Sequence, residues 1–401
     1  MIDRIVPRPR YVEKILPLVD KPMVKVLTGV RRCGKSTILT LIRNHIVEHN
    51  PHAQIVELNL ESAVGLQIET AEQLLDYVAE KVNTQQPVYF FFDEIQSVGN
   101  WQRAVNALRV DYTSDIYLTG SNATLLSGDL ATHLAGRYVA FHIQPLSFAE
   151  FLELHKDRFP SAREAFDIYL IYGGYPELKF FDFAREQSLS YLTTVYDSTV
   201  LRDVIKYHHI RDVDVFHRIV DYCLRNVGTT FSARSMEKYF KNEGRTVSVD
   251  TILNYLSFCQ QAFLIDKVPR TDAYGKKSLK ANEKYYCVDH GLREVVGASN
   301  TADINLVLEN IVYQELRSRG WNVQVGAVGA YEVDFVATRG LEKHYFQVAY
   351  VLADDKTVKR EFRSLEEIRD NYPKTVLSMD VVDFSRGGIL HRNIVDFLVD
   401  V

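Results

Sequence analysis

Residues 29–36 read Gly-Val-Arg-Arg-Cys-Gly-Lys-Ser, two glycines with four residues between them followed by a lysine and a hydroxyl. Few eight-residue patterns constrain a fold as tightly. Glycines at this spacing permit backbone conformations closed to residues with a Cβ, so successive amide N–H groups can turn inward around an anion. The flanks agree: Val24-Lys25-Val26-Leu27-Thr28 reads as a short buried strand, and Ser36 to His49 carries Ile38, Leu39, Leu41, Ile42 and Ile46 at helical spacing. Strand, glycine loop and helix N-terminus together make a Walker A loop. The expected ligand is ATP or GTP, with Gly29, Val30, Arg31, Arg32, Cys33, Gly34, Lys35, Ser36 and Thr37 around its phosphates. In such a loop Lys35 reaches the β- and γ-phosphates and the Ser36 hydroxyl ligates Mg2+. Arg31 and Arg32 face phosphate or solvent, and solvent or a neighbouring subunit is preferred for at least one. Cys33 is read as a small space-filling residue, with oxidation as the alternative use.

Val88-Tyr89-Phe90-Phe91-Phe92 is an apolar run that ends in Asp93-Glu94-Ile95-Gln96. A strand apolar throughout belongs in a sheet covered on both faces, and charges at its end are costly unless something uses them. This is the form of a Walker B segment: Asp93 holds Mg2+ and Glu94 polarises the attacking water as general base. A third strand, Ile116-Tyr117-Leu118, ends in Thr119-Gly120-Ser121-Asn122. Asn122 is the preferred group for orienting that water, with Thr119 and Ser121 close behind. Arg137 precedes the strand Tyr138 to His142 and serves either the γ-phosphate, in cis or in trans, or a surface salt bridge.

A chain of 401 residues has room for two to four domains, and 46% hydrophobic with 25% charged residues is ordinary globular composition. A net charge of −5 argues against a protein coated overall with nucleic acid, though not against a local basic face. Cys33, Cys223, Cys259 and Cys287 are too far apart for a metal-binding pair or a disulfide framework. Residues 1–20 lack the continuous apolar core of a signal peptide, and no run of eighteen apolar residues predicts a bilayer span. A reducing cytoplasm is the simplest setting.

From residue 24 to about 145, strand and helix signals alternate: Ile55 to Leu60 as a strand, Ala71 to Val82 and Trp101 to Tyr112 as helices. That rhythm predicts an α/β fold, a parallel sheet with helices on both faces. Ser147 and Glu150 form a capping-box pattern, and Gly173-Gly174-Tyr175-Pro176 is a turn within helical sequence, so 146–208 is expected as a helical lid. Next come helices over Phe216 to Val227, Ser232 to Phe240 and from Ser248, then strands at Leu264 to Arg270 and Lys284 to Val288. Helix, turn, helix and a basic two-stranded wing is a winged-helix layout, expected over 209–290. Residues 211–285 hold 13 Lys and Arg against 9 Asp and Glu. Lys238, Lys241, Arg245, Lys276, Lys277 and Lys280 are the candidate DNA contacts, the alternative being a packing module.

The remaining residues, 291–401, place Glu309 on an amphipathic helix, Asp334 on a strand and Gln347 on the next. The arrangement resembles restriction-endonuclease-like folds, in which Mg2+ needs two or three anionic oxygens and a nearby lysine helps activate water. The usual Glu-x-Lys is here Gln347-Val348-Ala349, leaving a candidate second metal site of Glu309, Asp334 and Gln347 without its lysine unless Lys356 or Lys359 swings in. Weak or absent cleavage is expected, with DNA, another subunit or a protein partner as the domain's likelier use.

Taken together, Gly29 to Ser36, Asp93-Glu94-Ile95-Gln96, Thr119-Gly120-Ser121-Asn122, Pro145-Leu146-Ser147-Phe148, Gly173-Gly174-Tyr175-Pro176, Glu332-Val333-Asp334 and Gln347-Val348 resemble a family of prokaryotic AAA-type P-loop ATPases. The family is similar to archaeal DEXX-box ATPases and carries a C-terminal region of uncharacterised function. The resemblance implies an ASCE/AAA-type core over 1–145, binding and hydrolysis of ATP with Mg2+, and a homo-oligomer or protein partner that senses nucleotide state. Three readings follow: an ATP-driven switch that repositions a DNA-binding C-terminal half, a slow-hydrolysing module that recruits a protein, and a Mg2+-dependent nuclease.

Overall fold

A computed structural model describes residues 5–83, 86–126, 134, 136–272 and 278–400. The chain divides into two compact units, residues 1–144 with 261–263, and residues 145–260 with 264–401.

The first unit is built on five parallel strands: β1 (Val24–Thr28), β2 (Gln54–Asn59), β3 (Val88–Asp93), β4 (Ser114–Gly120) and β5 (Tyr138–His142), in spatial order β2-β3-β4-β1-β5. Every residue of β1 and β3 is buried, as their apolar runs require of strands covered on both faces. Because side chains alternate along a strand, Phe90 and Phe92 join Leu74, Val78, Ala104 and Leu108 of the helices Ala71–Ala79 and Trp101–Asp111 in one core. On the other face Phe91 stacks on Tyr117 with ring centroids 4.7 Å apart. One charge is buried within β1. Lys25 Nζ lies 2.5 Å from Asp115 Oδ1, and the same carboxylate accepts from Tyr117 OH and Asp20 N. Parallel order fixes the site: β1, β3 and β4 all end at one edge of the sheet, with β4 between the other two.

The second unit contains a mixed seven-stranded sheet of β6 (Ile265–Asp272), β7 (Ser278–Cys287), β8 (Asn322–Val328), β9 (Tyr331–Arg339), β10 (Glu342–Val348), β11 (Lys374–Ser378) and β12 (Leu390–Asn393), in order β12-β11-β10-β9-β8-β6-β7. The two strands expected as a basic wing, β6 and β7, are the last two of this larger sheet. β6 pairs in parallel with β8 through Arg270↔Val325 to Asp272↔Ala327, so one sheet runs across the expected boundary at 290/291. A buried polar cluster crosses the expected boundary at 208/209 and, again, the one at 290/291. Asp289 accepts from Gly174 N at 2.7 Å and Gly291 N at 2.8 Å. Arg293, fully buried, donates to Leu224 O, Asn300 Oδ1 and Asp303 Oδ2, each at 2.9 Å. Gly173 has to be glycine here: its φ is +75°, and a Cβ would stand 1.8 Å from Asp289 Oδ1. Among the described residues, no helix is long and apolar enough to cross a membrane.

Candidate functional site

The loop between β1 and the helix Lys35–His49 has the backbone its glycines predict. Gly34 takes φ +98° at the helix N-cap, and a Cβ on Gly29 would come within 2.1 Å of Ile143 O. Val30, Cys33 and Lys35 are buried, Thr37 is half-buried, and Ser36 and Arg32 are exposed. Arg31 lies 3.3 Å from Glu61 at the surface. Burial pushes the Cys33 thiol up, and the four cysteines are all buried and unbridged. Arg8, which carries no signal in the sequence, clamps the loop: its guanidinium donates to Cys33 O at 2.8 Å and Gln144 O at 2.9 Å.

The ends of β3 and β4 bring the acidic groups to this loop. Lys35 Nζ donates to Gly29 O at 3.0 Å and Val30 O at 3.2 Å, and lies 3.6 Å from Glu94 Oε1. Asp93 accepts from Thr119 Oγ1 at 2.5 Å and from Asn59 Nδ2 at 3.1 Å. Thr119 Oγ1 in turn accepts from Glu94 N at 2.8 Å. Glu94 has φ +57°, a left-handed conformation that a non-glycine residue holds only when its surroundings impose it. Gln96 Nε2 donates to Glu94 Oε2 and, at 3.4 Å, to Ser121 Oγ. Gln96 Oε1 is buried with no hydrogen-bond partner among the described residues.

The two carboxyls titrate in opposite directions. Burial raises Asp93 above its ordinary value, against the hydrogen bonds from Thr119 and Ser36. Burial acts on Glu94 in the same sense, but the Lys35 ammonium and the Gln96 amide outweigh it and hold the carboxyl below its ordinary value. Lys35 lowers both carboxyls, and it stands closest to Glu94, where it is the first of the groups that oppose burial.

Asn122 is buried two residues beyond β4, at the edge where Thr28 pairs with Gly120. The placement of Arg137 bears on its use in cis alone, and not on its use in trans or in a surface salt bridge. The residue is exposed and opens β5, where its carbonyl accepts from Val24 N at 2.9 Å. β5 runs parallel to β1, so Arg137 sits at the strand start, about 16 Å from the loop at the strand end for five residues at about 3.3 Å each. It does not reach a γ-phosphate bound by its own chain.

In the second unit, Glu309 and Asp334 approach each other, and Gln347 Oε1 accepts from Asp334 N at 3.4 Å. Its amide donates to Glu361 Oε2 at 3.3 Å and accepts from Ser364 Oγ at 3.3 Å. Lys356 and Lys359 are exposed on the helix Asp355–Glu366. The lysine that does reach Glu309 is Lys284 of β7, 2.9 Å from Oε1. Among the described residues, no group of three or more His, Cys, Asp and Glu side chains is arranged to hold a metal ion. An amide ligand such as Gln347 stands outside that set of side chains, so the expected site of Glu309, Asp334 and Gln347 rests on its contacts alone. Of the candidate DNA contacts, Lys238 and Lys241 are exposed, Arg245 is paired with Asp214 at 2.5 Å, and Lys280 lies on β7. Lys276 and Lys277 fall outside the described residues.

The profile of the AAA domain family matches residues 21–152, the segment that holds this loop and both carboxylates. A relative in Haemophilus influenzae, named only as an uncharacterized protein, is 36% identical over 384 residues, covering 94% of each chain. The chain belongs to the AAA family of P-loop ATPases. A second relative of this AAA protein, uncharacterized protein MJ1544 of Methanocaldococcus jannaschii, is 28% identical over 384 residues, covering 91% of the chain and 83% of the relative. A domain of unknown function (DUF8612) matches residues 163–302, straight through the expected boundary at 208/209. Among solved structures, the Walker-type ATPase Paby2304 of Pyrococcus abyssi superposes with a TM-score of 0.51 at 13% identity, covering 72% of this chain and 95% of that one. At that identity the likeness concerns the fold.

Proposed function

We propose that this AAA protein binds ATP with Mg2+, hydrolyses it to ADP and phosphate, and uses the cycle to switch or move a DNA-binding C-terminal half. The observation that carries the reading is the convergence of Lys35, Asp93, Glu94 and Thr119 at the end of β1, β3 and β4. Ser36 and Asp93, a hydroxyl hydrogen-bonded to a carboxylate, are hard oxygen donors suited to Mg2+. Bound there with the nucleotide, Mg2+ neutralises charge on the phosphate oxygens. Lys35 leaves the Gly29 and Val30 carbonyls for the phosphates. Glu94 then loses its nearest cation, so its proton affinity rises at the moment a base is needed. Glu94 takes the proton of the attacking water, and Asn122 orients that water against the γ-phosphate. Loop filling and base strength are thereby coupled through one ammonium.

The placement of Arg137 favours a second reading for the isolated chain. With no arginine of its own chain at the γ-phosphate from that position, hydrolysis is slow until another subunit supplies one, and the ATP-bound form recruits a protein. The DNA reading is supported by the exposed Lys238 and Lys241. Steady-state ATP hydrolysis with and without duplex, branched and single-stranded DNA, over a range of protein concentration, separates the two. Stimulation by one DNA form, abolished in Glu94→Gln, is expected for the switch. ATP binding with no DNA response and a rate that rises with protein concentration would instead support the recruiting module.

A further inference from the structure

The nuclease-like half calls for a divalent cation, and its carboxylates are already bonded to another one. Lys284 Nζ lies 2.9 Å from Glu309 Oε1 and 2.7 Å from Glu332 Oε1, with the lysine itself 4% exposed. Tyr286 OH donates to the same Glu309 oxygen at 2.6 Å. Arg270 Nη1 approaches the second oxygen of Glu332 at 3.5 Å. Asp334, buried beside them, spends Oδ2 on Val348 N at 2.8 Å.

We propose that Lys284 is the resident cation of this carboxylate cluster, standing where the resemblance calls for Mg2+, so that the C-terminal half works as a metal-free module and cleaves no phosphodiester. Glu309 and Glu332 face Lys284 and Arg270, one cation for each carboxylate, and Oδ2 of Asp334 is held by Val348 N. A hard cation needs two or three anionic oxygens. Of those within reach, one oxygen of Glu309 and one of Glu332 already carry an ammonium at hydrogen-bond distance. A divalent ion sharing them would stand against Lys284 in a site of low polarisability, where like charges repel strongly. Removing only one partner of a buried pair leaves the others uncompensated. The lysine thus also ties β7 to β9 and to the helix Ile304–Ser318 that carries Glu309.

All the residues belong to the second unit, so the inference stands apart from the ATPase reading and is tested without nucleotide. Mn2+ binding to the full-length chain, counted by electron paramagnetic resonance of the free ion, is compared across variants. Wild type and Glu309→Gln are expected to bind Mn2+ alike. Lys284→Met is expected to gain one Mn2+ per chain, with at least tenfold tighter binding than wild type, and to lose it in Lys284→Met/Glu309→Gln. Should Lys284→Met fail to fold, Lys284→Gln, which removes the charge and keeps a hydrogen-bond donor beside the two carboxylates, is expected to show the same gain. A wild-type Mn2+ site that Glu309→Gln abolishes would overturn the proposal, and so would a folded lysine-free variant that gains none.

Discussion

Thr119 links the two acidic residues of the nucleotide site, and Thr119→Val tests that link with almost no change in shape. The hydroxyl donates to Asp93 Oδ1 at 2.5 Å and supports the left-handed Glu94 by accepting from its N–H at 2.8 Å. A hydrogen bond to a charged group contributes about 1.5–3 kcal/mol and a neutral one about 1 kcal/mol. The variant should therefore lose about 3 kcal/mol at neutral pH. The loss should depend on pH with a definite sign. Asp93 is already raised by burial, and Thr119 is the first of the groups that oppose the rise. A carboxyl raised in the folded state holds its proton more tightly there than in the unfolded chain. Its contribution to stability thus falls as pH climbs from the ordinary value of 3.8 through the folded one, then levels. Thr119→Val raises the folded value further, so the penalty should shrink toward about 1 kcal/mol near pH 4, where only the Glu94 N–H bond is lost. Trp101, buried in the first unit, reports its unfolding by urea once Trp321→Phe removes the other tryptophan. Thr119→Ser keeps the hydroxyl and should cost about 1 kcal/mol for its methyl group. A valine penalty below about 0.5 kcal/mol, or one equal at pH 4 and pH 7.5, would show that the hydroxyl does not hold the site together.

Gln96→Ala removes an amide donor from Glu94 and should lower the ATP turnover rate about tenfold while leaving nucleotide affinity within about threefold, the pattern of a residue acting on the base rather than on the phosphates. Equal losses in rate and affinity, measured by steady-state turnover and equilibrium titration, would place it on the ligand instead. Arg137→Ala should leave turnover by dilute protein unchanged, because the side chain starts at the far end of β5, and should change stability by no more than about 0.5 kcal/mol. A tenfold loss at concentrations where the chain is monomeric would contradict that placement. Asp289 is pushed up to about 7 by burial, against hydrogen bonds from Gly174 and Gly291. Its charged form is disfavoured in the fold, so the second unit should lose stability between about pH 4 and pH 7, at up to about 1.4 kcal/mol per pH unit. Melting of Asp289→Asn should be flatter across that window, and a parallel profile would refute the assignment.

The sequence made the nucleotide loop legible because its chemistry is local. Eight consecutive residues specify the cradle, and the flanking periodicity specifies the strand and helix that hold it. Asp93 and Glu94 were legible as charges ending a buried run. Thr119 and Asn59 join them only because β2, β3 and β4 are neighbours: Asn59 pairs with Asp93 across the sheet, and Thr119 ends the adjacent strand. Gln96 carried a readable signal, being the fourth residue of the acidic motif. Arg8 carried none, since an arginine 25 residues before Cys33 becomes part of the loop only through the folded chain. Arg137 shows the converse. Proximity to a strand says nothing until direction is known, and a residue that starts a parallel strand stands at the wrong edge for a loop that ends one.

Charge in the C-terminal half was harder to read for a related reason. Counting along residues 211–285 assigns every cation to one face, and 13 against 9 leaves a surplus of four. In the fold β6 is paired with β8, which brings acids from outside that window against its lysines and arginines. Lys284 is held by Glu309 and Glu332, and Arg270 by Glu332, so two of the thirteen cations are neutralised from elsewhere and the surplus falls to two. Arg245 is held within the window by Asp214. A DNA face on this region must then rest on few charges, Lys238 and Lys241 foremost. Such an interface should show a shallow salt dependence, with a slope in proportion to the small number of phosphates it meets. The lysine that seemed part of a basic wing belongs to the carboxylate cluster of the neighbouring strands. One pairing, Arg270 with Val325 and its successors, accounts both for the smaller basic surplus and for the lysine among the carboxylates.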